Sequence, residues 1–484
     1  MTDPVLHLLR TRPELAETAA FPFDFDVSRA YHVEDVHLAS GASLEPIAGD
    51  DTGGTYFLSG GTAVLYASSE GDAVLVADSV TEALEMLVRL PGWCEGLTAD
   101  LDEEELRAVV RACDDEAREE FAPDLDAERA ALIAGLGLPD RPLTELLARA
   151  EAAAARTEPD HLLLNSAELC AYRLPDAYRM CLRDIVLGPA RAALERMRAD
   201  GGAAPADPVA RAGMLRAAQF DRRADDLPLL RALLAAECAE RTERHEERGL
   251  AAVLVALHGR DEDVPLLREA TSGRVTDARG AVAWAQAEDA SRYGQDPAAV
   301  TDLTWADLAH RQGLTGHART ALIRMLDDTG PDAVRLRELS RALEGIGDHA
   351  QAARAQFNLL SLQDTPTGRA SEAYVLARLE RRKGDLAAAG RALERARAAV
   401  GSGGPPPDER TAGWHRRGLG RLITEQHLEL ALAAAEAGDS DLAHTTMAHA
   451  RTLLGLIAKE SAKRLAPLSG RAAWAVAALR KPRP

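Results

Sequence analysis

Four stretches, WADLAHRQGLTGHARTAL (305–322), LSRALEGIGDHAQAARAQ (339–356), LARLERRKGDLAAAGRAL (376–393) and LALAAAEAGDSDLAHTTM (430–447), are one pattern written four times. Each opens on a large apolar residue followed by a small one: Trp305–Ala306, Leu339–Ser340, Leu376–Ala377 and Leu430–Ala431. Each then carries a glycine, at Gly313, Gly347, Gly384 and Gly438. Five residues after each glycine stands an alanine, Ala318, Ala352, Ala389 or Ala443, and nine after it a mostly bulky residue, Leu322, Gln356, Leu393 or Met447. Small residues on both sides of a turn let two helices approach closely, and large ones fill the space between them. Glycine ends a helix by taking the left-handed conformation. The pattern therefore predicts helix, tight turn, helix, repeated. An acidic residue follows three of the glycines: Asp348, Asp385 and Asp439.

The spacings between the glycines are 34, 37 and 54 residues, the last stretched by GSGGPPPDER at Gly401–Arg410, which reads as an inserted loop. This stretch, residues 300–465, resembles the tetratricopeptide repeat family, an array of helical hairpins of period 34. The resemblance implies a surface built to hold a protein partner rather than to do chemistry. An ordinary alanine-rich helical bundle is the alternative. Beyond it, residues 466–484 are expected to form a capping helix, Gly470 to Leu479 with Trp474 and Val476, and a basic tail, Arg480–Lys481–Pro482–Arg483. A terminal repeat must cover its neighbour's core.

Working upstream, residues 207–290 contain a second repetition. DDLPLLR from Asp225 returns as EDVPLLR from Glu262, 37 residues later. Proline in a first helical turn is tolerated there. The preceding segments, Met214–Phe220 and Leu250–Leu257, are apolar. The unit resembles the HEAT-repeat family, with a possible third copy at Ala281–Val300; two chance-similar hairpins are the alternative. Ala199–Pro208 reads as a linker, and residues 98–200 as a helical connecting region punctuated by Pro139, Pro142 and Pro175.

Residues 1–97 have another rhythm. Short helices are expected near Val5–Leu9 and Glu14–Ala19, followed by the cluster FPFDF from Phe21. Three apolar runs then follow, Thr55–Leu58, Ala63–Tyr66 and Ala73–Val76, divided by glycine turns, which predicts an antiparallel meander. Ser79 with Glu82 predicts a capping box, opening a helix whose apolar face is Val80, Ala83, Leu84, Leu87 and Val88, and Pro91 stops it. IAGDDTGGTYFL, VLYASSEG and VADSVTEALEML, between Ile47 and Leu87, resemble the later half of the SUKH superfamily. That resemblance implies a small α+β interaction module, of a kind widely found in immunity proteins that neutralise toxins. The fold expected is mostly α: a small N-terminal α+β domain with an antiparallel sheet, then an α-solenoid of helical hairpins.

Charge is unevenly placed. Residues 1–130 hold 29 Asp and Glu against 8 Arg, so the formal charge of −20 belongs to the first quarter of the chain. Such a surface disfavours nucleic acid and anionic membrane and suits a basic protein, although a merely solubilising segment would look the same. The strand-end and loop carboxylates Glu34, Asp35, Asp50, Asp51, Glu70 and Asp72 are the candidate contacts. Five scattered cysteines without CxxC, no apolar run of spanning length and no leader-like start point to a soluble cytoplasmic protein.

Chemistry is hard to find. No HExxH, zinc-ligand spacing or GxSxG occurs. His444 and His449 lie five apart, and Gly313 separates His310 from His317. GDDTGG at Gly49–Gly54 lacks the lysine of a phosphate loop and reads as a strand turn; adjacent Asp50 and Asp51 alone are weak evidence of a cation site. Cys94, beside Trp93, has no nearby histidine and reads as an inert thiol. No catalytic residue, metal or cofactor is expected. The sequence supports a non-enzymatic protein-binding protein, immunity-like or, alternatively, a helical scaffold with a structural N-terminal domain. An enzyme whose site is assembled from distant helices is the third reading.

Overall fold

The structure is a computed structural model that describes residues 3–91, 101–179, 181–201, 203–240, 245–401 and 418–479. Trp93, Cys94, residues 402–410 of the expected loop and the tail from Arg480 lie outside the described residues. The chain forms two compact units, Met1–Ala321 and Leu322–Pro484.

Unit 1 opens with α1 (Pro4–Thr11) and α2 (Pro13–Ala20), then β1 (Val36–Leu38), β2 (Leu44–Gly49), β3 (Thr55–Ser59), β4 (Ala63–Ala67), β5 (Ala73–Ala77) and α3 (Val80–Arg89). The meander is there with one more strand than the three expected: β2–β3–β4–β5, all antiparallel. Its strands read as unbroken apolar runs because both faces are covered. Tyr56, Val64 and Val76 face one core with α1, α2 and α3. Phe57, Leu65 and Leu75 face another, made with Leu38, Ala153, Leu163 and Tyr172.

That second layer moves the boundary expected at residue 97. The helices α4 (Glu103–Glu120), α5 (Leu125–Leu136) and α6 (Leu143–Ala154) are not a connector. Leu106, Val110, Leu132, Leu146 and Leu147 complete the first core, and β6 (Leu163–Asn165) pairs antiparallel with β1. A sheet apolar on both sides needs two covers, and the chain supplies the second one about a hundred residues after the first strand. The cap of α3 also differs in detail. Ser79 Oγ accepts from the Glu82 amide at 3.2 Å, but Glu82 reaches the amide of Asp78, not of Ser79. A reciprocal capping box stands instead at Asp102 and Glu105, opening α4.

Unit 1 continues through α7 (Leu182–Asp200), α8 (Pro208–Phe220), α9 (Leu227–Ala239), α10 (His245–Ala256), α11 (Val264–Ala270), α12 (Ala278–Glu288), α13 (Asp302–Arg311) and the start of α14 (Thr315–Asp327). Pro228 and Pro265 stand in the first turns of α9 and α11. Of the acidic residues before them, Asp225 and Glu262 are exposed, but Asp226 and Asp263 are buried. Asp226 is buried and takes a bidentate pair from Arg198 of α7, at 2.8 and 2.6 Å. Asp263 is buried and accepts from Arg231 of α9 at 2.5 Å. Each repeat is thus pinned to the helix before it by an arginine. The third copy does not form: after α12 the chain makes one π turn, Asp289–Tyr293, and a short 3-10 turn, Pro297–Ala299.

Unit 2 contains α15 (Ala333–Gly345), α16 (His349–Ser361), α17 (Pro366–Lys383), α18 (Leu386–Ala399), α19 (Leu419–Glu436), α20 (Ser440–Leu456) and α21 (Lys459–Ala478). All four turn glycines have φ between +81° and +96°. In all four turns the residue after the glycine donates its amide to the carbonyl five before it, at 2.9 Å: Leu314 to Ala309, Asp348 to Leu343, Asp385 to Glu380, Asp439 to Ala434. This is the bond of the Schellman helix end. Asp348, Asp385 and Asp439 then cap the return helices, accepting from the amides of Gln351, Ala388 and Leu442. All sixteen patterned positions are at most 3% exposed. The two polar deviants satisfy each other: Ser340 Oγ donates to Ala352 O and Gln356 Oε1, and Gln356 Nε2 donates to Glu372. In α21, Val476 and Ala472 face the core, but Trp474 is 77% exposed. Residues two apart on a helix lie on nearly opposite sides, so both could not face inward.

Candidate functional site

Three of the six expected contact carboxylates are held by their own unit. Asp50 is buried at the head of the β2–β3 turn. Its Oδ1 accepts from the amides of Thr52 and Gly54 and from the Thr52 hydroxyl, and its Oδ2 from the Tyr66 hydroxyl at 2.7 Å. It shapes the turn and offers nothing to a partner. The turn is tight enough that a Cβ on Gly54 would lie 2.4 Å from Asp50 Oδ2, so Gly54 must be glycine. Asp72 pairs with Arg173 at 3.2 Å. Glu34, although on the surface, accepts from Tyr172 at 2.7 Å and Asn165 at 3.0 Å, bonds that pull its carboxyl below its ordinary pKa. Asp35, Asp51 and Glu70 are exposed.

Asp24 enters the same group. It sits at φ +52° beside Asp50 and Asp51. Burial, then repulsion from Asp51 and Asp50, pushes its carboxyl up to about 6, against the pull of Arg29. The folded state therefore favours neutral Asp24. That stabilisation is full below the ordinary carboxyl value of 3.8 and is lost as pH rises through about 6. Asparagine tolerates the left-handed conformation and has no charge. Asp24→Asn is expected to gain about 0.5–1 kcal/mol at pH 7–8 after solvent screening of this surface group, and nothing at pH 3.5. Urea unfolding at the two pH values measures it.

The strongest unused charge lies elsewhere, on α4. Its first turn, Glu103–Glu104–Glu105, suits the positive end of the helix dipole. Its last two turns carry Glu116, Glu119 and Glu120, all exposed, at the end where carboxylates are disfavoured. No ion pair reaches these three among the described residues, whereas Arg118 is already taken by Asp115 and Asp126. Beside them Phe121, which ends the helix, is 50% exposed, and its ring lies 5.8 Å from Phe21, itself 53% exposed. An exposed aromatic pair at the end of a helix whose last two turns carry unpaired carboxylates combines an apolar anchor with nearby negative charge, the form of a protein-binding patch. The sequence does not mark it, because α4 lies in what reads as a connecting region and Phe21 and Phe121 are a hundred residues apart.

A cleft of about 370 Å³ in unit 1 is lined by Arg222, Asp226, His258 and Asp289. Its carboxylates are held: Asp289 by Arg222 at 2.9 and 2.5 Å, and Asp226 by Arg198. Burial lowers the pKa of His258, leaving a neutral imidazole at its edge. In unit 2, a groove of about 410 Å³ is formed by Phe357, Leu360, Arg369 and Arg395, with the Arg395 guanidinium 5.4 Å from the Phe357 ring centre. Where spacing suggested no metal ligands, unit 2 also gathers Glu394, His427 and His449. Compared with models of known families, with curated proteins and with solved structures, the chain matches none. Among the described residues no helix is long and apolar enough to cross a membrane.

Proposed function

We propose that this is a non-enzymatic protein-binding protein whose acidic N-terminal unit docks a basic protein partner. The observation that carries it is the exposed Phe21–Phe121 pair beside Glu116, Glu119 and Glu120. Carboxylates placed where they oppose their own helix dipole do not serve the helix, and a cationic partner would relieve them. The SUKH resemblance of Ile47–Leu87 extends the proposal to an immunity-type role, in which the partner is a basic toxin.

The test is a capture from the native host with wild-type and Glu119→Lys/Glu120→Lys baits. The wild-type bait is expected to retain a basic protein more tightly as salt is lowered, and the reversed bait to lose it by about tenfold or more. Retention that ignores both salt and charge reversal refutes the acidic face. Deleting residues 1–100 is no test, because Leu106 to Leu147 share the first core and would be stripped with it.

A second reading is a helical-repeat scaffold that binds through unit 2. The groove at Phe357, with Arg369 and Arg395 on its rim, favours it and suits an apolar anchor on an acidic segment. Phe357→Ala with Arg395→Glu would then abolish capture while the charge-reversed bait retains it.

A further inference from the structure

Unit 2 buries a polar side chain where its other hairpins do not. His427 of α19 is 1% exposed and stands eleven residues before its turn glycine. The same place is Leu336 in α15 and Ala373 in α17, both buried and apolar. The Nδ1 of His427 lies 2.9 Å from the Ile423 carbonyl oxygen. A carbonyl can only accept, so Nδ1 carries the proton and Nε2 keeps its lone pair. That Nε2 is buried with no hydrogen-bond partner. An orphaned buried nitrogen is costly and calls for an explanation.

Two further ligand-type side chains converge on it. The His449 ring of α20 stands edge-on to His427, with centroids 6.0 Å apart and planes at 81°. His449 Nδ1 lies 2.9 Å from Glu394 Oε1 of α18. The other Glu394 oxygen accepts from Arg397, at 3.2 and 2.6 Å, which orients the carboxylate. One ligand atom from each of the three residues lies within 4.8 Å of the other two.

We propose that Glu394, His427 and His449 form a binding site for a divalent first-row transition ion, with Zn2+ the best match. Two imidazole nitrogens and one carboxylate oxygen are a donor set for such an ion and leave a position for water. Mg2+ and Ca2+ prefer shells of oxygen and fit poorly. A ligand histidine whose other ring nitrogen donates to a backbone carbonyl has its tautomer fixed for the metal, and the Ile423 bond does this for His427. The ion would clip α18 to α19 and α20. The unfolded chain holds no such site, so binding would stabilise unit 2.

The full chain, stripped with a chelator, is titrated with Zn2+ against a chromophoric zinc indicator, and with Co2+ for its ligand-field absorption. One ion per chain is expected, with affinity falling about 100-fold or more in His427→Leu and in His449→Ala, and unchanged in His444→Ala. Zn2+ is expected to raise the thermal midpoint of wild type and His444→Ala but not of His427→Leu. Leucine already occupies the matching place in α15, so His427→Leu preserves packing; should its circular dichroism nevertheless change, His449→Ala at its half-buried position gives the same answer. The proposal is overturned if wild type takes up no Zn2+ at about 100 μM. Equal affinity in wild type, His427→Leu and His449→Ala also overturns it, because the ion then sits elsewhere.

Discussion

Arg211→Met is expected to loosen unit 1 by about 3–5 kcal/mol, the cost of leaving a buried charge without its partner. Arg211 and Glu237 are 3% and 2% exposed, and Nε donates to Glu237 Oε1 at 2.6 Å. The rest of the guanidinium is also used: Nη1 donates to the carbonyls of Pro205 and Ala206 at 2.9 and 2.8 Å, and Nη2 to Glu240. The side chain therefore ties the entry of α8 to the end of α9. Methionine keeps much of the volume but strands the Glu237 carboxylate in an apolar core. Amide exchange in α8 and α9 reads this unit separately and is expected to quicken by about two to three and a half powers of ten. Arg211→Met/Glu237→Met should recover most of the loss, because a buried pair replaced by apolar residues is often neutral. Arg149→Met removes surface pairs with Glu82 and Glu145 and is expected to leave stability nearly unchanged, because solvent screens such pairs. Equal effects at Arg211 and Arg149 would refute the argument from burial.

Ala389→Leu is expected to cost unit 2 about 1–3 kcal/mol by overpacking. Ala389 is 0% exposed on α18, which packs along α17. The neighbouring Ala387→Leu is the control. Its position is exposed, leucine is nearly as good a helix former as alanine, and the change should stay within about 0.5 kcal/mol. Ala352→Leu and Ala443→Leu should repeat the Ala389 result, since both are 0% exposed at the same place in their hairpins. Chemical denaturation of the four variants distinguishes a repeated close contact from a loosely packed bundle: in a loose bundle, Ala389→Leu and Ala387→Leu would behave alike.

The sequence by itself determined the local events. Whether a helix ends at Gly347 or Gly384 depends on the few residues around it, because left-handed backbone is open to glycine and the capping aspartate is the next residue. Helical period then placed Leu339, Ala352, Leu376 and Ala389 on the buried side, and strand runs divided by glycine turns announced the sheet. The tertiary structure alone decided what each charged or ligand-type side chain meets. Asp50 looked like a free loop carboxylate until Tyr66 closed over it. The second face of the sheet waited for Leu163 and Tyr172, and His32 for Tyr172, 140 residues away. Asp226 found Arg198, and His427 faced His449 and Glu394, across separate helices. The physical reason is one of range. Backbone conformation is chosen within a turn or two, whereas burial, ion pairing and the tuning of a titratable group depend on whichever segments the folded chain brings alongside, at separations no local pattern records.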